Sequence, residues 1–200
     1  MLRYLELDVS LRGVKPTIWR QFWIRDSATF EDLHSAIQTA AGWHDSHMFG
    51  FFESTRRRNY WDQQIARDAR DEASGYGFEL PRCPCANKLK LSRVLASRGD
   101  KCLYVYDYGD NWELDIKVLS ALDSVEKFKQ RLLAGARAFP PEDCGSYLGY
   151  EGIVANFNTP ADKLDEDARD QQRWVREMDP DWHPERFEFA EMRRRFDRAR

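Results

Sequence analysis

Two hundred residues with a net charge of −3 fit one large domain and exclude a general nucleic-acid coat, which needs concentrated Lys and Arg. Seven Trp, eight Tyr and twelve Phe supply core material enough to do without disulfide staples. No stretch approaches the roughly 20 apolar residues of a membrane span. The opening MLRYLELDVS lacks the apolar run of an export signal, so the expected setting is cytoplasmic and no membrane partner is expected. Cys83, Cys85, Cys102 and Cys144 are then thiols or ligands rather than disulfides.

Residues 4–11 alternate, with Leu5, Leu7, Val9 and Leu11 on one face, which predicts a half-buried strand. Gly13 and Pro16 break it, and Ile18 to Arg25 reads as a second strand, antiparallel to the first. Thr29 is an N-cap with Asp32 at the third helical position; Leu33, Ala36, Ile37, Ala40 and Ala41 form one apolar stripe, and Gly42 ends the helix. His34 lies beside that stripe and reads as a boundary residue, as does His183; Trp19, Trp23 and Trp43 read as core. A strand follows at about Met48 to Glu53.

Residues 54–101 are read as a loop-rich insertion with a short helix around Gln63 to Ala69 and a contact at Leu89, Leu91, Val94 and Leu95. Cys102–Tyr108 and Trp112–Leu119 alternate about Gly109-Asp110-Asn111, the signature of a hairpin. Asp123 with Glu126 reads as a capping box, and Val125, Phe128 and Leu132 as the buried stripe of a helix. Pro140-Pro141-Glu142-Asp143-Cys144-Gly145 is a rigid connection. Tyr150, Ile153, Val154 and Phe157 repeat at helical spacing, a further helix runs to Met178, and a last one begins near Pro184 with Phe189, Met192 and Phe196 on one side. The expected class is α+β: a mixed or antiparallel sheet opened by a hairpin with a crossing helix, a second hairpin, and C-terminal helices (146–200) packed alongside, all within one domain spanning 1–200.

Five ordered segments point to a family. They are Leu11–Arg20, the Thr29–Trp43 helix with Asp45-Ser46-His47, Tyr106–Glu113, Pro140–Gly145 with Gly149-Tyr150-Glu151, and Arg186–Phe196. Together they resemble the plasmid pRiA4b ORF-3-like proteins, some of which are labelled insertion-element passenger or "TnpR-like" proteins. The resemblance implies an α+β domain from a bacterial plasmid or mobile-element context, and no reaction. The sequence departs from the family pattern at Phe49 and Leu114, where relatives often carry histidine, and at Phe139, where they often carry cysteine.

The candidate site surface comprises His47, Asp107, Asp110, Trp112, Glu113, Glu142, Asp143 and Cys144. Carboxylates converging from two turns could hold a divalent metal through oxygen or serve as a paired acid and base for metal-assisted hydrolysis. The preferred reading of each is structural, because Asp and Asn accept local backbone hydrogen bonds in turns. Cys83, Cys85, Cys144 and His47 are weak zinc candidates by ligand type, since Cys-x-Cys is not the usual knuckle spacing. Cys144 follows two acids, which oppose thiolate formation, and Ser10 lacks the arginine cluster of a serine recombinase. Arg56, Arg57, Arg58, Tyr60 and Trp61 interleave charge and rings as a nucleic-acid contact would, and the C-terminal arginines add a second patch. Nine Asp/Glu against four Lys/Arg in 162–185 disfavour that partner. The leading expectation is a non-catalytic accessory protein that binds a protein or ligand partner.

Overall fold

The computed structural model describes residues 1–54, 63–72 and 83–199. Seven strands form one antiparallel sheet: β1 (Leu2–Leu11), β2 (Trp19–Arg25), β3 (Phe49–Glu53), β4 (Gln64–Arg67), β5 (Lys101–Tyr106), β6 (Trp112–Ser124) and β7 (Gln130–Ala136). Their spatial order is β4-β3-β5-β6-β1-β2-β7. Four α-helices accompany the sheet among the described residues, with short 3-10 turns between elements: α1 (Phe30–Ala41), α2 (Ser146–Phe157), α3 (Glu166–Met178) and α4 (Phe189–Arg198).

Strand alternation decides which face of the sheet is core. Leu5, Leu7, Val9 and Leu11 of β1, Phe22 and Ile24 of β2, and Leu114, Ile116 and Val118 of β6 are all buried. Helix α1 lies over this face, with Phe30 against Phe51 and His34 stacked on Phe49 at 3.7 Å. Its ends are those the sequence predicts: Thr29 and Asp32 form a reciprocal capping box, and Gly42 adopts φ 84°. No basic residue stands in its last turn. Two distant arginines supply that charge: Arg20 of β2 donates to Ala40 O at 3.1 Å, and Arg195 of α4 to Thr39 O at 2.8 Å. Arg20 is 2% exposed and lies under the rings of Phe139 and Phe187.

Both sheet edges are met by other chain, as edge strands require. Arg67 N–H of β4 donates to Pro84 O; beside β7, Leu132 N–H donates to Asp197 of α4 and Ala138 N–H to Pro184 O.

Several expectations are corrected. The predicted helix over 123–132 is two strands: β6 runs on to Ser124 against β1, and β7 pairs with β2, leaving Val125 84% exposed. Local spacing favours a helix there, but ladder pairing and the stacking of Phe128 on Tyr4 at 3.9 Å win. Gln63 to Ala69 is mostly strand β4, followed by a 3-10 turn over Ala69–Glu72. Helix α4 starts at Phe189, five residues beyond Pro184, and Phe189 is 37% exposed. His34 is fully buried, and Trp19 and Trp23 are only half-buried whereas Trp43 is core. No described helix is long and apolar enough to cross a membrane.

Candidate functional site

Parts of four family-like segments meet at the end of the sheet where β5 turns into β6. Gly13, at φ 74°, leaves room only for the Tyr147 ring, which a Cβ would meet at 3.1 Å. Arg12 clamps Asp115 and Glu113 of β6, and Glu113 N–H reaches the Tyr147 hydroxyl. Trp112 is buried between Trp43 and Tyr147. The hairpin turns, the loop after α1 and the start of α2 thus form one stitched junction.

The loop after α1 is bonded at nearly every step. Trp43 Nε1 donates to Pro140 O at 2.9 Å, His44 N–H to Glu142 Oε2 at 2.8 Å, and Asp45 N–H to Gln38 Oε1 at 3.0 Å. His47 N–H points to the Tyr106 hydroxyl, and Asp107 N–H donates to Met48 O. This fixes His47 between the β5–β6 turn and the 140–145 turn.

His47 Nε2 lies 2.9 Å from Asp143 Oδ1 and 3.8 Å from Asp107 Oδ2. One ligand atom from each of His47, Asp107 and Asp143 falls within 4.8 Å of the others. Asp107 divides its two oxygens: Oδ1 accepts the Gly109 N–H and closes the turn, while Oδ2 faces His47. Asp143 is the exposed member, its side chain 68% accessible, against 12% for Asp107. Asp45, Asp107 and Asp143 all hold left-handed backbone, at φ 57°, 55° and 58°.

The other predicted site residues are engaged elsewhere. Glu142 bridges the Tyr106 hydroxyl and the His44 N–H, and Glu113 is paired with Arg12. The Asp110 carbonyl accepts from Ser146 at 2.7 Å, and its Oδ2 is buried without a partner among the described residues. The Cys144 thiol is pushed up to about 12 by burial, with Asp110 and Asp143 adding to it, which opposes thiolate formation. Among the described residues no cluster of three candidate ligands includes a cysteine; Cys85 instead bridges β4 at Arg67. Arg56, Arg57, Arg58, Tyr60 and Trp61 lie outside the described residues. Of the C-terminal arginines, Arg193 pairs with Asp197 and Arg195 serves α1.

Sequence reading missed the residues behind the site. Asp45, Asp68 and Arg70 form a charged bracket, with Arg70 2.7 Å from both carboxylates. His34 joins it, with Nε2 3.0 Å from Asp45 Oδ1 but off the N–H axis, so that contact is electrostatic. The alternation of β5 offered a signal for Tyr106; nothing in the polar 54–101 stretch singled out Arg70.

The comparisons agree with this architecture. A protein of unknown function, MM3350 from Methanosarcina mazei Go1, has a solved structure with TM-score 0.73 and 28% identity, over 94% of this chain and 95% of that one. The uncharacterized protein y4hQ of Sinorhizobium fredii is 30% identical over 159 residues, 78% of this chain and 74% of the relative. The profile of the plasmid pRiA4b ORF-3-like proteins matches residues 3–191. This chain belongs to the plasmid pRiA4b ORF-3-like family.

Proposed function

We propose that this protein is a binding domain, accessory rather than catalytic, whose ligand surface centres on a divalent cation held by His47, Asp107 and Asp143. The observation that carries this is the convergence of one imidazole nitrogen and two carboxylate oxygens, from three separate segments, within 4.8 Å. A mixed nitrogen and oxygen set suits Zn²⁺ or Mn²⁺; Ca²⁺ wants six to eight oxygens. Three protein ligands leave positions on the cation open, and the exposed Asp143 side faces the solvent from which a partner's anionic group would arrive. A plasmid setting is suggested by the family name.

The accessory reading is favoured over metal-assisted hydrolysis because Glu142 and Glu113 are already occupied. Both residues spend their two oxygens on structural partners, which removes two candidate general bases. Surface clefts of about 380 and 440 Å³ lie on the outer faces of α3 and α4, not over His47.

Metal analysis of protein purified without an affinity tag, paired with thermal melting, tests the reading. One equivalent of bound Zn²⁺ or Mn²⁺ is expected. At a hundredfold excess over Kd the cation adds about 2.7 kcal/mol, a rise of roughly 5–10 °C. No bound metal and no rise on adding either ion would contradict it.

A further inference from the structure

We infer that Arg70 is the positioning residue of this site, holding His47 in place from the segment between β4 and residue 72; the inference rests on the cation-site reading above. The guanidinium is anchored first. Asp68, its side chain 3% exposed, accepts from Arg70 N–H and from Nε, both at 2.8 Å. From that anchor Arg70 reaches over the loop after α1. Its Nη1 donates to Asp45 O at 3.0 Å, and its Nη2 lies 2.7 Å from Asp45 Oδ1 and 2.8 Å from His47 O.

The consequence falls on one backbone unit. The His47 carbonyl is held by Arg70, and the His47 N–H by the Tyr106 hydroxyl at 3.3 Å. With both polar groups of the residue fixed, the Cα–Cβ direction is fixed, and the imidazole is left only its side-chain torsions. The Tyr106 ring stands edge-on to it at 5.9 Å, limiting those too. A half-exposed arginine pair is ordinarily worth little, because solvent screens it and long side chains lose entropy. This one differs in that a planar fork serves a buried carboxylate and two carbonyls at once, a task lysine cannot copy. Groups that orient a metal ligand typically govern about 10–100-fold in metal affinity.

The experiment uses the full chain with Arg70→Gln, and Arg70→Lys as a second variant if the first fails to fold. Three readings are taken: Zn²⁺ and Mn²⁺ titration, melting without metal, and the His47 ring resonances in the metal-free protein. The expected result is at least about tenfold weaker metal binding in both variants, with shifted His47 resonances. In a His47→Ala background, Arg70→Gln should cost no further affinity, because it acts through His47. Unchanged His47 resonances, or an equal loss of affinity in both backgrounds, would overturn the inference. If the wild-type protein takes up neither ion, the cation-site reading fails, and the ring resonances alone decide whether Arg70 sets His47.

Discussion

The Tyr104 hydroxyl and Nδ1 of His34 share a buried hydrogen bond of 2.8 Å. The direction follows from the neighbours. Gln38 Oε1 accepts the Asp45 N–H, so the Gln38 amide must donate to the Tyr104 oxygen, at 3.1 Å, leaving the tyrosine proton for His34. His34 is therefore a neutral imidazole with its proton on Nε2, facing Asp45.

Burial pushes His34 down to about 4, although Asp45 pulls the other way. An unfolded histidine titrates near 6.5, so between those values the unfolded chain binds a proton that the folded one does not. The stabilisation is complete above about 6.5 and is lost as pH falls toward 4. By pH 5 the loss amounts to about 2 kcal/mol. Urea unfolding at pH 7, 6 and 5 should show this slope in the wild type and a flatter one in His34→Gln. Equal slopes would mean that His34 is charged in the fold.

Two glycines of α2 should respond in opposite senses to alanine. A Cβ at Gly149 would run into the Cys144 carbonyl oxygen and lie 2.8 Å from its carbon, whereas one at Gly152 meets only Gln171 Nε2, at 4.0 Å. Gly152→Ala should stabilise by about 0.5–1 kcal/mol, the usual gain in a helix interior. Gly149→Ala should destabilise by about 2 kcal/mol or more, because the backbone of the 140–145 turn must move. Melting curves of the two variants check the contrast.

Arg20 is predicted to be irreplaceable by lysine. Burial pushes its guanidinium down to about 9, so it stays charged at neutral pH while serving three carbonyls, of Trp19, Ala40 and Ala136. Arg20→Lys leaves at least one buried carbonyl unserved and should cost roughly 2 kcal/mol or more. Denaturant midpoints of Arg20→Lys and Arg20→Met should both fall. A lysine variant as stable as wild type would show that the α1 terminus needs only a positive charge.

Local signals were legible where local forces decide. Thr29, Asp32 and Gly42 carry α1 whole, and the alternating runs of β1, β2, β5 and β6 match their pairing. Asp123 and Glu126 misled because the capping pattern is real as chemistry, while the pairing of Leu2 with Ser124 is a contact between residues far apart in sequence. His34 was misjudged for a similar reason. Its helix face is polar by periodicity, and only the placement of β3 and β5 beneath α1 gives it Phe49 and Tyr104 as neighbours. The site was legible as residue types in two turns. Its membership was not, because strand order brings His47 to Asp107 and Asp143 and sends Glu142 to Tyr106.

Calorimetric titration of metal-stripped protein with Zn²⁺ and Mn²⁺ tests the central claim most directly. The account predicts a single site in the wild type. Removing one of three ligands should weaken it at least about a hundredfold in His47→Ala and Asp143→Asn, with Glu142→Gln close to wild type. Binding that survives in His47→Ala and Asp143→Asn, or is absent from the wild type, would contradict it.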